Sequence, residues 1–332
     1  MQIGLIGLGK MGGNMRDRIR AAGHEVVGYD TDQKISDAKD LKDLVSKLSA
    51  PRVVWVMVPA GKVTDSVIND LSDLLEAGDL IVDGGNSKFT DDERHAQELD
   101  KKGISFVDCG VSGGVWGKEA GYGLMCGGSD KDVERVMPVF DALRPEGPRD
   151  EGWVHAGDVG AGHYVKMVHN GIEYGMMQAY AEGYELLAAK EIVKDVPAAF
   201  KAWTRGTVVR SWLQELMATA LAKDPGFDKI SGFVNDSGEG RWTVQEAVEY
   251  GVPMPVISAS LFARFVSPPG RLPRDAGRGR DAQRVRRPPG HPQGPEGHRD
   301  RPLVPRQDLA GRSGSVRRAV VLLDFPRCTC DG

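Results

Sequence analysis

Cysteine is sparse, and no apolar run reaches the length of a membrane span. Four cysteines in 332 residues do not make a disulfide scaffold. Cys109 and Cys126 sit in strand-like or loop context, and Cys328 and Cys330 form a C-x-C at the far end. Two thiols in the body read as small buried residues in a reducing cytoplasm. A spanning helix needs about 20 successive apolar residues, which the chain does not supply. Met1 leads straight into a strand-like stretch, leaving no room for a signal peptide. A cytoplasmic protein without a membrane partner is expected. A dominant charge is lacking too. With 43 basic and 47 acidic side chains the net charge is -4, so the overall balance does not call for nucleic acid. Residues 268–332 contain no lysine at all.

What is present is an alternation of short apolar runs with polar, helix-like stretches. Gln2–Ile6, Glu25–Asp30, Val53–Val58, Leu80–Asp83 and Ser105–Asp108 read as strands. Several are continuously apolar and β-branched, as parallel strands covered on both faces should be. This spacing predicts an α/β fold, a Rossmann-type doubly wound parallel sheet over residues 1–160.

Gly7-x-Gly9-x-x-Gly12 follows the first strand and opens a helix-like stretch. In that context the first glycine makes the tight turn, the second admits a pyrophosphate, and the third lets helix and strand pack closely. Residues Gly7, Leu8, Gly9, Lys10, Met11 and Gly12 are therefore expected to carry a dinucleotide on the helix N-terminus. Asp30 ends the second strand, where a carboxylate accepts from a ribose 2′-hydroxyl and repels a 2′-phosphate. No arginine follows it, which favours NAD, with NADP as the alternative. Gly84-Gly85-Asn86-Ser87 and Ser112-Gly113-Gly114 close two later strands at the sheet's carboxyl edge, where ligands approach.

After Gly162 the pattern becomes helical to about Ser267, predicting an all-α second domain over residues 161–267. Lys166, Asn170 and Glu173 fall at i, i+4 and i+7 on its first helix, with His169 and Tyr174 beside them. The surrounding Val165, Met167, Val168 and Ile172 predict a helix buried on most sides. A lysine and a glutamate there need partners, and the alternatives to a catalytic face are a buried lysine–glutamate pair or a helix edge that simply faces water.

These motifs resemble the decarboxylating 6-phosphogluconate dehydrogenases, closest to the short bacterial NAD-preferring type, within the β-hydroxyacid dehydrogenase superfamily. The resemblance covers residues 1 to about 267 and is carried most specifically by Lys-Met-Val-His-Asn-Gly-Ile-Glu-Tyr-Gly at 166–175. It implies Lys166 as general base and Glu173 as general acid. It implies Asn86, Ser112, Gly113, Gly114, His169 and Asn170 as holders of the sugar acid, and Tyr174 and Arg264 as contacts to its phosphate. Val58, Pro59, Ala60 and Asn86 would lie beside the cofactor. The implied reaction is oxidative decarboxylation of 6-phosphogluconate to ribulose 5-phosphate and CO2 by a homodimer or tetramer, with no metal. A base working near neutral pH must lose its proton readily, and burial is expected to help Lys166 do so. A 3-hydroxyisobutyrate-type dehydrogenase is the sister reading. Glu173, Tyr174, His169 and Arg264 speak against it.

Two departures stand out. Ser237 holds the place of a phosphate-binding lysine in Ser237-Gly238-Glu239-Gly240-Arg241-Trp242-Thr243, so phosphate binding would lean on Arg264, Tyr174 and Arg241. Then, from Pro268 on, the chain carries ten of its 19 prolines and fourteen arginines. Taken as native protein this is a disordered basic tail; such a tail is able to touch nucleic acid, but no nucleic-acid partner is expected. It also matches a GC-rich gene read out of frame. Compatible codons for Asp275 to His291, shifted by one base, spell Ala-Met-Gln-Val-Val-Ala-Ala-Met-Arg-Asn-Ala-Phe-Gly-Gly-His. That resembles the family's C-terminal segment, whose Arg and His complete the neighbouring subunit's site. The chain as written lacks both, leaving a catalytically impaired NAD-binding protein as a further reading. Resequencing codons 265–275 is expected to reveal a one-base shift. Wild-type-like turnover from a verified 332-residue protein would contradict any role for the lost segment.

Overall fold

The computed structural model describes residues 1–227, 229 and 234–266. The expectations for the tail, Cys328 and Cys330 lie outside the described residues. The described residues fall into two compact units, Met1–Gly175 with Asp236–Leu261, and Met176–Asn235 with 262–266.

The first unit is built on seven strands, β1 (Gln2–Ile6), β2 (Glu25–Tyr29), β3 (Val53–Val56), β4 (Leu80–Asp83), β5 (Ser105–Ser112), β6 (Gly123–Gly127) and β7 (Trp153–Gly157). Their order is β2-β1-β3-β4-β5-β6-β7. All neighbours are parallel except β5 and β6. The five strands expected from sequence, β1 to β5, pair in parallel, and the one antiparallel step enters with β6, which returns along β5 after the short helix Gly117–Ala120. Every residue of β3 and β4 is buried, because helices cover both faces.

Helices α1 (Lys10–Ala21), α2 (Leu41–Ser46), α3 (Lys62–Leu74), α4 (Phe89–Asp100), α5 (Gly117–Ala120) and α6 (Asp130–Leu143) connect the strands. Met11, Met15 and Ile19 of α1 and Val133, Val136 and Phe140 of α6 join one core with Ile3, Leu5 and Trp55. Leu44, Ile68, Leu71 and Leu99 join the other with Ile6, Val54 and Ile81. Each such side chain contributes about 1.5–3 kcal/mol by leaving water. Cys109 and Cys126 face each other across β5 and β6, buried and unoxidised, with Sγ atoms 3.7 Å apart.

Helix α7 (Ala161–Ala188) follows, then α8 (Val196–Ala202), α9 (Trp212–Lys223), α10 (Glu239–Glu249) and α11 (Pro255–Phe265). Within the second unit Met177, Ala181, Tyr184, Phe200, Met217, Leu221 and Phe227 are buried. Tyr184 and Phe227 have ring centroids 4.8 Å apart. Ser211 caps α9 by accepting from the Gln214 amide. Helix α7 differs from the expectation of burial on most sides. Val165 and Ile172, seven residues apart and so on one edge, are 40% and 52% exposed, while the stripe through Lys166, Met167, Asn170 and Tyr174 is buried.

Candidate active site

The dinucleotide end forms at the carboxyl ends of the paired β1 and β3, where the strand order reverses, the crevice in which open α/β sheets bind ligands. Gly7 has φ +88, and a Cβ on it would strike the Met57 carbonyl. A Cβ on Gly12 would strike the Gly7 carbonyl, whereas Gly9 has nothing within 4 Å of its Cβ position. The second glycine thus opens onto space, as a passing pyrophosphate requires. Gly9 also starts α1 without a side-chain cap, leaving the first amides of the helix for an anion. Asp30 accepts from the Leu8 amide at 2.6 Å and from the Asp32 amide at 2.9 Å, which fixes its carboxylate beside the fingerprint. Met11 and Leu8 are buried, and Lys10 is exposed. Val58, Pro59 and Ala60 follow β3, with the Pro59 carbonyl accepting from Thr64 at 2.9 Å.

The lysine end is assembled from three segments of the first unit. Lys166 is 4% exposed, and its stem lies against Gly110 of β5, where any Cβ would overlap the lysine Cβ and Cγ. Its Nζ donates to Asn86 Oδ1 at 2.5 Å and to Glu239 Oε1 at 2.6 Å. The Asn170 amide satisfies its neighbours when its oxygen lies 2.8 Å from Nζ. Its nitrogen is then 3.1 Å from His169 Nδ1 and 3.2 Å from Glu173 Oε2. The i, i+4, i+7 face therefore exists as a hydrogen-bonded line. The buried lysine–glutamate pair exists too, but its carboxylate at 2.6 Å is Glu239, a residue the sequence reading did not single out. Burial alone does not leave Lys166 a neutral amine, because a carboxylate at that distance favours the ammonium.

Glu239 is delivered by the close approach of α10 to α7. Gly238, with φ +93, starts α10. The Thr243 hydroxyl reaches the Met167 and Glu239 carbonyls at 2.8 and 2.9 Å. Tyr174 is buried, its ring packed on Gly240 and its hydroxyl 3.1 Å from Ser237 Oγ. Arg241 is ion-paired with Asp236 at 2.5 Å. Arg264, in the second unit, donates to the Asn235 carbonyl at 2.7 Å and lies near Met177. Ser112 ends β5, and Gly113 (φ +127) and Gly114 (φ +53) turn the chain in a region that disfavours a side chain.

Beneath the Asn86 turn lies a second polar cluster. Asp83 accepts from the Gly85 amide and the Ser87 hydroxyl at 2.9 and 2.6 Å, shaping the turn. His163, one helical turn before Lys166, places Nε2 3.1 Å from the Gly85 carbonyl and Nδ1 2.7 Å from Asp92. Asp108 accepts from the Gly160 and His163 amides, both at 2.7 Å. Among the described residues, Asp83, Asp92 and His163 form the one group with metal-ligand spacing. A ring nitrogen on a carbonyl must carry a proton, however, so His163 Nε2 acts here as a donor. Burial pushes the imidazole down, but the Asp92, Asp83 and Asp108 carboxylates outweigh it and lift His163 to about 10. Burial likewise pushes Asp92 up.

A dinucleotide fingerprint and a buried lysine on the same sheet edge define a nicotinamide-dependent oxidoreductase. Residues 2–145 match the NAD binding domain of 6-phosphogluconate dehydrogenase, and residues 162–276 match the C-terminal domain of 6-phosphogluconate dehydrogenase. The chain belongs to the 6-phosphogluconate dehydrogenase family. It is 44% identical over 278 residues to a Haloferax volcanii protein named NAD(+)-dependent, decarboxylating 6-phosphogluconate dehydrogenase, covering 80% of this chain and 91% of that one. It is 42% identical over 276 residues to a putative Bacillus subtilis 6-phosphogluconate dehydrogenase, with the same coverage. The Plasmodium falciparum 6-phosphogluconate dehydrogenase structure superposes with a TM-score of 0.73 at 31% identity, over 80% of this chain and 62% of that one. A Mycobacterium tuberculosis 3-hydroxyisobutyrate dehydrogenase shares the fold, with a TM-score of 0.64 at 23% identity over 80% of this chain and 93% of that one.

The His163 cluster makes a pH prediction. Its folded value lies above the unfolded value of about 6.5, so its stabilisation is complete below about 6.5 and is lost as pH rises through about 10. The raised Asp92 acts with the same sign. The thermal midpoint is expected to fall by several degrees between about pH 7 and 10. In nitrogen-15 spectra at pH 8, one of the seven histidines should remain doubly protonated while exposed ones have titrated. A His163 that titrates with the exposed ones would contradict the cluster's charge arrangement.

Proposed function

We propose that the protein oxidises and decarboxylates 6-phospho-D-gluconate to D-ribulose 5-phosphate and CO2, using NAD in preference to NADP. The observation that carries this reading is the buried Lys166 side chain, whose Nζ is held by Asn86, Asn170 and Glu239. Residues 1–160 would serve the cofactor and 161–267 the sugar acid, in a homo-oligomeric cytoplasmic enzyme. The bound nicotinamide supplies the hydride acceptor. Lys166, once neutral, takes the proton of the C3 hydroxyl as hydride leaves C3. The resulting β-keto acid loses CO2 readily when its ketone is protonated, and Lys166 holds the proton that does so. Glu173, linked to the lysine through Asn170, then protonates C1 of the enediol.

Asn86, Ser112, Gly113, Gly114, His169 and Asn170 are proposed to hold the sugar acid, and Tyr174 and Arg264 its phosphate. Arg241 is engaged by Asp236, and Ser237 by Tyr174, so the phosphate draws less cationic help from this loop than a lysine there would give. The preference for NAD rests on Asp30, whose carboxylate is pinned by two amides where a 2′-phosphate would have to sit.

Steady-state NADH formation from 6-phosphogluconate tests the reading. Replacing Lys166→Met is expected to lower kcat by about a thousandfold or more while NAD affinity changes less than about twofold. Asp30→Ala is expected to raise NADP use relative to NAD by about tenfold. Turnover surviving Lys166→Met would overturn the base assignment.

A further inference from the structure

The three hydrogens of the Lys166 ammonium face three oxygens, Asn86 Oδ1, Asn170 Oδ1 and Glu239 Oε1, at 2.5, 2.8 and 2.6 Å. Two of these belong to side-chain amides, which accept hydrogen bonds but do not hold a proton near neutral pH. The third is a carboxylate. Lys166 and Glu239 are both buried, with side chains 5% and 1% exposed, so water does not separate them. A base buried as an ammonium must give its proton away before it can act, and of these three neighbours the carboxylate is the one that can receive it.

We infer that Glu239 is the proton partner of Lys166, a positioning residue that converts the resting ammonium into the working amine. The inference rests on Lys166 being the base. In the step, one N–H bond breaks and leaves its electron pair on Nζ, while an O–H bond forms at Glu239 Oε1. The ion pair becomes an amine and a carboxylic acid with no change in net charge. Nζ then takes the C3 hydroxyl proton as hydride passes to the nicotinamide of NAD. Exchange inside the pair costs no proton from solvent, so the amine is available without the bulk pH having to reach the range of a free lysine.

Glu239 occupies the first turn of the eleven-residue α10. The Thr243 hydroxyl ties its carbonyl to α7, which keeps the two partners in register. Several other titratable or charged groups on the packed elements are engaged elsewhere, while Glu246, Glu249 and Tyr250 lie further along or just past α10. On α7, Glu173 and His169 flank Asn170, and His163 pairs with Asp92. Asp83 is held under the Asn86 turn by Ser87, Asp108 on β5 by the Gly160 and His163 amides, and Arg241 on α10 by Asp236. Glu239 Oε1, 2.6 Å from Nζ, is the carboxylate oxygen in hydrogen-bond contact with it among the three partners above.

The test is Glu239→Gln in the full chain, which keeps size and a hydrogen bond but cannot take a proton. At neutral pH kcat is expected to fall about a hundredfold, while NAD binding by fluorescence titration stays within about twofold. The discriminating readout is the pH profile. Without the internal acceptor, Lys166 must lose its proton to solvent. The ratio of variant to wild-type kcat/KM should therefore rise about tenfold per pH unit between roughly pH 7 and 9. A merely structural role would lower activity by the same factor at every pH, and that result overturns the proposal. So does a variant with wild-type turnover. Glu239→Asp, which keeps the carboxylate, should retain the wild-type profile shape at reduced kcat. If the glutamine variant does not fold, this profile decides, and a slope like that of an amine alone overturns the proposal. A wild-type protein that makes no NADH from 6-phosphogluconate would instead sink the functional reading on which this one stands.

Discussion

A buried ammonium is the constraint around which the first unit is built. An unpaired charge removed from water costs several kcal/mol at least, so Lys166 can sit at 4% exposure only where partners converge on it. They come from three distant places in the chain. Asn86 is 80 residues away and Glu239 is 73 away, and Asn170 lies one turn along the same helix. The sheet edge, α7 and the start of α10 must each be in place for the charge to be tolerated. In this sense the chemistry and the packing are one requirement.

Much of the remaining architecture serves that convergence. Gly110 lets the lysine stem lie on β5, and Gly171 and Gly240 let α7 and α10 approach, because a Cβ at each would meet Lys166, Thr243 or Tyr174. The His163–Asp92–Asp83–Asp108 cluster sits under the turn that presents Asn86, with the histidine set among three acidic side chains. A turn carrying Gly84 and Gly85 would be loose on its own. Here Asp83 and His163 hold the Gly85 amide and carbonyl from below.

The parts legible in the sequence are those whose physics is local. The fingerprint glycines announce themselves because backbone geometry demands them at fixed spacing, and Asp30 follows from the length of one β-α-β unit. The face of Lys166, Asn170 and Glu173 follows from helical periodicity alone. Glu239 was not legible, since no spacing links it to Lys166. Gly238 and Gly240 also hide the helix start, which falls at Glu239. Strands β6 and β7 escaped for another reason. Gly-Leu-Met-Cys-Gly and Trp-Val-His-Ala-Gly are short, glycine-bounded and weakly alternating, and they exist as strands because β5 offers an edge. The outer edge of α7 shows the limit of composition as a guide, since Val165 and Ile172 are apolar and exposed.

The most direct test of the account is the ratio of CO2 released to NADH formed when the wild-type protein meets 6-phosphogluconate labelled at C1. A lysine that first accepts the C3 hydroxyl proton and then protonates the ketone predicts a ratio of about one across the whole time course. NADH formed without matching CO2 would show a simple hydroxyacid dehydrogenase and contradict the role assigned to Lys166 after hydride transfer.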